Sequence, residues 1–344
     1  MKILVTGGAG FIGSNFVRLL LGESSHHVIN LDALTYAGNP ENLKDVEDHD
    51  RYSFIKGDIR DRGLLKELFA GGPDAVVNFA AESHVDRSIE SPAEFLETNV
   101  TGTAALLDAA REFGLGLFLQ VSTDEVYGSL GEEELSTEES PLLPNSPYAA
   151  SKAAADCLVR AYHRTYGVPS IITRSSNNYG PFQFPEKVIP LFVTNAMEDK
   201  PLPLYGDGGN SRDWIHVEDN CRAILLALEE GTSGEVYNIG GDIELKNIDL
   251  ARRVLKILGK PDKLITYVED RPGHDRRYCL DSTKIESELG FSREYDFDAG
   301  LAMTVKWFEN NRQWWKNIKS GDYRDYYERM YGGRLKKPRK PGGK

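Results

Sequence analysis

Thr6-Gly7-Gly8-Ala9-Gly10-Phe11-Ile12-Gly13 is the stretch whose reading decides the fold. It follows a short β-branched run, Lys2–Thr6, and opens an amphipathic one over residues 14–21, so its glycines fall where a strand turns into a helix. Without side chains, Gly7 and Gly10 permit a tight turn and the close approach of a pyrophosphate to helix N-terminal amides, while Gly13 lets helix and strand pack closely. The same spacing also occurs in purely structural turns. Asp32 separates the two readings, because it closes the next β-branched run (28–32) about 20 residues downstream, where a dinucleotide fingerprint requires a carboxylate. That carboxylate accepts hydrogen bonds from an adenosine ribose and repels a 2′-phosphate, and Ala33 follows it in place of an arginine. The expected cofactor is NAD rather than NADP.

Outward from this turn, β-branched runs at 2–6, 28–32, 52–57, 75–79, 117–122 and 169–173 alternate with stretches of helical spacing, such as 14–21, 64–69 and 94–112. Repeated strand-helix units predict a parallel sheet, with ligands at the carboxyl ends of its strands. Beyond about residue 175 the pattern breaks into Pro- and Gly-rich loops, short helices at 219–230 and 248–258, and a brief strand at 236–239. The expected class is α/β, a Rossmann-type doubly wound parallel sheet with a smaller C-terminal substrate-binding lobe. Residues 1–175 would form the NAD-binding domain and carry the catalytic residues. Residues 176–330 would form most of the substrate lobe, partly interleaved with the first domain, and 331–344 a solvated basic tail.

Other strand ends extend the expected cofactor site. Phe11 and Ile12 lie in the turn, and Leu34 and Thr35 follow Asp32. Asp58-Ile59 closes the third run, where a carboxylate and an apolar side chain suit an adenine edge and face. Phe79-Ala80-Ala81 closes the fourth with small side chains over which a dinucleotide crosses the sheet. Thr98-Asn99 falls on a neighbouring helix, where the asparagine serves equally well as a tie between strands.

The 344 residues carry a formal net charge of -12, with 40% hydrophobic and 27% charged residues, the balance of an ordinary folded protein. So acidic a chain is not expected to bind nucleic acid, and it can bind a phosphorylated substrate only by concentrating Arg and Lys locally. No run approaches the roughly 20 apolar residues that span a bilayer, and the amino terminus lacks the apolar core of a signal peptide. A cytoplasmic location with no membrane partner is expected. Cys157, Cys221 and Cys279 are scattered, which predicts buried, reduced thiols and no metal site.

Tyr148-Ala149-Ala150-Ser151-Lys152 sets a tyrosine and a lysine at i and i+4, neighbours on one helical face. A free phenol, with a pKa of about 10, is a poor base at neutral pH, but a lysine cation and a positive nicotinamide both favour its ionised form. In joining this pair to a dinucleotide fingerprint the chain resembles the extended short-chain dehydrogenase/reductase family. That family adds a Ser or Thr at the end of the fifth strand, and Thr123 of Ser122-Thr123-Asp124-Glu125-Val126-Tyr127-Gly128 takes its position.

Asp124-Glu125 then discriminates between chemistries. A sugar epimerase oxidises, rotates and reduces, and has no use for two further proton-transfer groups. A dehydratase needs both, because oxidation at carbon 4 makes the carbon 5 proton acidic, and loss of the carbon 6 hydroxyl requires a base and an acid. Within the family, the chain resembles the dTDP-glucose 4,6-dehydratases. The likeness rests on Asp32-Ala33-Leu34-Thr35-Tyr36-Ala37-Gly38-Asn39, Ala80-Ala81-Glu82-Ser83-His84-Val85-Asp86-Arg87-Ser88 and Asn177-Asn178-Tyr179-Gly180-Pro181. It continues through Phe184-Pro185-Glu186-Lys187, Arg212-Asp213-Trp214 and Asp270-Arg271-Pro272-Gly273-His274-Asp275.

The resemblance implies that Asp124 donates a proton to the leaving hydroxyl, that Glu125 removes the carbon 5 proton, and that NAD is regenerated. It implies that Ser83, Thr123 and Asn177 hold the hexose of dTDP-glucose or a related nucleotide sugar, and that Asn178, with Ser83, meets the cofactor. Glu186, Lys187, Arg212, Asn247, Arg271 and His274 would hold the nucleotide, with Pro203, Leu204 and Tyr205 bordering the base. Arg212 and Arg271 are read as loop residues. His84 is expected to position its neighbours rather than move protons, since Tyr148 and the carboxyl pair account for every transfer. A homodimer, through helices near 94–112 and 149–166, is implied by the family alone. The rival readings are a dehydratase of a UDP-, GDP- or CDP-linked hexose, an NAD-dependent epimerase, and a non-catalytic dinucleotide sensor.

Overall fold

The computed structural model describes residues 1–320 and 322–336. Its strands in chain order are β1 (Lys2–Thr6), β2 (His27–Asp32), β3 (Tyr52–Lys56), β4 (Ala75–Asn78), β5 (Leu117–Thr123), β6 (Ser170–Ser175), β7 (Asn177–Tyr179), β8 (Leu202–Tyr205), β9 (Ser211–His216), β10 (Val236–Ile239), β11 (Glu244–Lys246) and β12 (Ile265–Val268). Seven of them form one parallel sheet in the order β10-β6-β5-β4-β1-β2-β3. The order reverses between β1 and β4, and that switch point opens the crevice into which such a sheet takes ligands.

Alternation along each strand fixes which helices cover which face. Ile3, Val5, Val77 and Leu119 join one core cluster and Leu4, Val76 and Phe118 another, as a side-chain period of two demands. The first cluster is closed by α1 (Phe11–Glu23), through Phe16, Val17 and Leu20. The second is closed by α2 (Arg62–Ala70), through Leu65, Leu68 and Phe69. The stretch over 94–112, read as one helix, is instead three pieces behind the short α3 (Val85–Glu90). These are α4 (Pro92–Phe95), a wide π turn at Leu96–Gly102, and α5 (Thr103–Phe113). A single extra residue per turn leaves the apolar spacing almost unchanged, so periodicity does not reveal it.

Strand β5 runs into a short helical turn, Asp124–Tyr127, and then α6 (Pro147–Tyr166) follows. Ser146 caps α6 by accepting from the Ala149 amide, Pro147 takes the first turn where its missing N–H costs nothing, and Gly167 ends the helix at φ +71°. Helices α7 (Val188–Met197), α8 (Val217–Glu230) and α9 (Asn247–Leu258) complete the middle of the chain. Helix α8 crosses back to pack on α1 through Ile224, Ala227 and Leu228, and β10 returns to the edge of the main sheet. The other strands form two small sheets, β11-β9-β7 and β12-β8. Around these lies a separate apolar cluster of Phe192, Leu204, Trp214, Leu250, Val254, Leu301 and Phe308.

Two expectations are corrected here. Tyr331 was assigned to a solvated tail, yet it is buried at 5% exposure within that second cluster, and the chain stays helical to Lys336; residues 337–344 lie outside the described residues. Buried Tyr323, Tyr326, Met330 and Tyr331 recur at helical spacing, so this segment has an apolar stripe of its own. Cys157 is exposed on α6, whereas Cys221 is buried and Cys279 half-buried. All are free thiols. Among the described residues no helix is long and apolar enough to cross a membrane.

A buried ion pair joins the catalytic loop to both faces. Arg174 of β6 donates to Asp156 of α6 at 2.9 Å and to the Tyr127 hydroxyl at 2.8 Å, and that hydroxyl donates to Asn238 of β10 at 2.8 Å. Arg174→Met leaves Asp156 charged, buried and uncompensated, which costs about 3–5 kcal/mol. Urea unfolding should therefore report a loss of that size; an unchanged midpoint would mean the pair holds nothing together.

Candidate active site

The glycine turn is built as a cradle. Gly7 sits at φ +70°, and a Cβ there would lie 2.7 Å from the Ala80 backbone nitrogen, so β1 and the end of β4 meet only because both residues are small. A Cβ at Gly13 would drive into the Gly7 carbonyl oxygen. Gly10 has an ordinary φ of -79° and acts as the N-cap of α1; its task is to leave room, not to adopt a special conformation. The Asp32 carboxylate accepts from the amides of Ala9 (2.9 Å) and Leu34 (2.8 Å); burial raises its pKa, and these amides pull it back. Beside it, Asn30 accepts from the Gly8 amide at 3.1 Å and Asn42 donates to the Ala9 carbonyl at 2.9 Å. Neither asparagine carried a sequence signal, since each acts across the fold.

A cavity of about 620 Å³ follows the strand ends from this cradle. Its lining brings together Gly7, Gly10, Phe11, Ile12, Gly13, Asp32, Thr35, Asp58, Ile59, Phe79, Ala80, Ala81, Ser83 and Thr98 with Thr123, Asp124, Glu125, Tyr148, Lys152, Asn177, Asn178, Glu186 and Lys187. A cradle that any Cβ would fill, with a strand-end carboxylate beyond it, fits a dinucleotide. Leu34 lies outside the lining, at φ +52° with its amide held by Asp32. Asp58 is engaged by Arg60 at 2.7 Å, which lowers its pKa, and Arg60 itself lines the cavity. Asn99 ties the loop after β4 to α6, not strand to strand: it accepts from the Glu82 amide (2.9 Å) and donates to the Ser151 hydroxyl (2.8 Å).

Asp124 and Glu125 occupy the turn that ends β5, Asp124 buried and Glu125 half-buried at the cavity wall. Burial raises the Asp124 carboxyl well above its usual range, and Glu125 and Asp213 push it further. One of its oxygens accepts from the Thr123 hydroxyl at 3.1 Å; the other is buried without a partner. Burial also raises Glu125, but Arg271, Arg212 and Lys187 oppose the rise. The two carboxyls thus keep different company: three cations act on Glu125 and only Arg212 on Asp124, against which Glu125 and Asp213 also act, and this drives their proton affinities apart.

Tyr148 and Lys152 share the buried face of α6, with Tyr148 edge-on to Phe95 at 6.3 Å. The structure differs from the expected lysine-stabilised tyrosinate. The Lys152 ammonium donates to the Val121 carbonyl at 2.7 Å, and burial lowers its pKa to about 8. The Tyr148 phenol is held well above its usual pKa by burial, with Glu125 and Asp124 adding to it and the Thr123 hydrogen bond offsetting part. Two carboxyls close by outweigh a cation that is turned toward a carbonyl.

The remaining candidates form a second group outside the cavity lining, joined to it at Glu125. Arg212 lies on strand β9 and not in a loop; it donates to the carbonyls of Ser211 (2.7 Å) and Asp275 (2.9 Å) and covers the Tyr278 ring. Pairing with β11 explains this, and because all six residues of β9 are buried its sequence gives no readable alternation. Arg271 approaches Asp86 at 3.6 Å, His274 meets Asp270 at 2.5 Å, and Tyr205, after Pro203 on β8, stands edge-on to His274 at 5.9 Å. Asn247 opens α9 with its carbonyl oxygen buried and unpartnered. Lys187 donates to the Ser83 carbonyl at 2.7 Å, and Glu186 pairs with Arg87 at 3.2 Å. His84 is buried, and burial followed by Lys187, Arg87 and Arg271 holds its pKa well below the usual histidine value, so it is neutral. Among the described residues no cluster suited to a metal ion occurs.

A doubly wound sheet with a glycine cradle, and a Tyr-Lys helix beside it, defines the extended short-chain dehydrogenase/reductase class. The chain belongs to the family described as GDP-mannose 4,6 dehydratase, whose sequence model matches residues 4–304. It is 54% identical over 327 residues to the dTDP-glucose 4,6-dehydratase of Streptomyces niveus, covering 94% of this chain and 97% of that one. It is 50% identical over 360 residues to dTDP-glucose 4,6-dehydratase 1 of Escherichia coli (strain K12), covering 97% and 100%. Among solved structures it is similar to DesIV, the dTDP-glucose 4,6-dehydratase of Streptomyces venezuelae crystallised with NAD, at a TM-score of 0.91 and 55% identity over 93% of this chain and 100% of that one.

The Lys152 environment has a thermodynamic signature. Its folded-state proton leaves near pH 8 and its unfolded-state proton near the ordinary lysine value of 10.5, so between these the unfolded chain binds more protons and stability rises with pH. Thermal melts of Lys152→Met and the parent, compared from pH 7 to pH 10, should show the parent gaining on the variant as pH rises. A constant difference would contradict the burial of a charged amine.

Proposed function

We infer that the protein is an NAD-dependent dTDP-glucose 4,6-dehydratase, a lyase converting dTDP-glucose to dTDP-4-keto-6-deoxyglucose and water. The observation that carries this reading is the Asp124-Glu125 pair, adjacent and unequally flanked by cations, within the same cavity as Tyr148. An epimerase would leave both carboxyls without a task, and a dinucleotide sensor would have none for Tyr148 either. Relatives at about half identity over nearly their full length carry the same activity in their names.

The Gly7, Gly10 and Gly13 cradle and Asp32 would hold NAD, which would supply the acceptor for the carbon 4 hydrogen and the hydride for carbon 6. Tyr148 takes the proton of the carbon 4 hydroxyl, with Thr123 orienting that oxygen. Glu125, kept closer to its ionised form by three cations, removes the carbon 5 proton. Asp124, kept protonated beside like charge, gives its proton to the carbon 6 hydroxyl, which departs as water; when hydride adds to carbon 6, Glu125 returns its proton to carbon 5, and the proton taken up by Tyr148 replaces the one Asp124 gave up. Ser83 and Asn177 hold the hexose, and Lys187, Arg212, Asn247, Arg271 and His274 the nucleotide, in the lobe over 176–330. We further propose a cytoplasmic homodimer joined across α5 and α6, where Phe113 and Tyr166 stand 40% and 48% exposed.

Incubation with dTDP-glucose should yield the alkali-induced absorbance of a 4-keto sugar without net NADH, and deuterium placed at carbon 4 should appear at carbon 6. Epimer formation without a keto product would sink the assignment. Glu125→Gln should keep NAD binding and lose about 10²–10⁴-fold in elimination rate; unchanged turnover would remove Glu125 from the reaction.

A further inference from the structure

The C-terminal segment does more than fill a gap in the apolar cluster. Tyr323 donates to the Pro185 carbonyl at 3.0 Å, just before Glu186 and Lys187. The Tyr326 hydroxyl lies 3.4 Å from the His84 Nδ1 atom, and its ring carries the Arg87 guanidinium at 4.3 Å. Tyr331 packs on Tyr205, with ring centroids 6.2 Å apart, and Arg334 donates to the Tyr205 hydroxyl at 3.0 Å. In about a dozen residues the segment therefore passes from the loops that carry His84 and Lys187 to Tyr205 and His274 at the far end of the nucleotide group.

At the nucleotide end these contacts form a chain. The Tyr205 hydroxyl accepts from Arg334 and donates to Asp86 at 3.0 Å, and Asp86 faces Arg271 at 3.6 Å. The Asp86 oxygen nearest Arg271 is buried and has no hydrogen-bond partner. Asp86 thus holds the Arg271 guanidinium in place without consuming its donors, which stay available to an anion. The same Tyr205 ring stands edge-on to His274. Arg334, Tyr205, Asp86 and Arg271 are thus joined in one continuous line of contacts.

We propose that residues 323–334 form the outer wall of the nucleotide subsite, and that Tyr331 and Arg334 are positioning residues for a nucleoside diphosphate, acting through the Tyr205 hydroxyl. This rests on the assignment of Arg271, His274 and Tyr205 to the nucleotide. It extends the site to a segment beyond residue 304, where the match to the family's sequence model ends.

Calorimetric titration of the full-length holoenzyme with dTDP, alongside NAD titration and steady-state kinetics, tests it. Arg334→Ala should weaken dTDP binding about tenfold and raise KM for the nucleotide sugar to match, with kcat and NAD affinity within about twofold of the parent; Arg334→Lys, which keeps a donor at Tyr205, should recover most of the loss. Tyr331→Phe should weaken dTDP binding in the same direction. If Arg271→Ala weakens dTDP binding while Arg334→Ala and Tyr331→Phe do not, the tail has no part in the subsite. If Arg271→Ala is also silent, the nucleotide assignment itself falls, and the proposal with it. Equal losses of dTDP affinity, NAD affinity and melting temperature in Arg334→Ala would reduce the tail to packing and overturn the proposal.

Discussion

Two carboxyl groups side by side in a cleft are costly to ionise together, and the rest of the site is arranged around that cost. Strand β5 delivers Asp124 and Glu125 at its carboxyl end, where every ligand-facing loop of the sheet converges. Left alone, the pair would share protons without distinction. The second sheet, the loop after β12 and the turn before α7 instead bring Arg212, Arg271 and Lys187 to act on Glu125, while Asp124 feels Asp213 and, of the three cations, only Arg212. A chain of net charge -12 can do this only by drawing cations from distant parts of its sequence. The lobe is thus an electrostatic partner of the sheet as much as a cover for the substrate.

Most of the sheet was legible because it obeys local rules. The alternation in β1 and β4 and the glycine turn depend on neighbours within a few residues, and β1 and β10 begin and end where the pattern places them. The Tyr148-Lys152 pair was equally legible, since i and i+4 share a face wherever a helix forms. What escaped is what depends on partners far along the chain. Arg212 is a strand residue only because β11 pairs with it, and Asn30 matters only because it fills the space beside Gly8. The π turn at Leu96–Gly102 hides inside a helical period. Tyr331 reads as the start of a polar tail because the basic residues after it dominate the composition, whereas its spacing from Tyr323, Tyr326 and Met330 already describes a buried stripe.

Tyr148 shows how far residue type underdetermines chemistry. A lysine four residues on promised a stabilised phenolate, yet its ammonium spends its hydrogen bond on Val121, and burial together with Glu125 raises the proton affinity of the phenol. The phenol is consequently a proton donor by default and a base only when positive charge enters the cavity. That order suits a reaction which must not begin before cofactor and sugar are both in place, because a permanently ionised tyrosine beside two carboxyls would repel the proton traffic it has to share. Thr123 is the hinge of this arrangement. Its hydroxyl donates to Asp124, accepts from the Glu125 amide at 3.2 Å and lies within hydrogen-bonding reach of Tyr148, so a single side chain fixes the geometry of all three proton-transfer groups. The β5 terminus is therefore the point at which backbone topology becomes chemistry: the sheet sets where Thr123 lies, and Thr123 sets how the acid, the base and the phenol face one another.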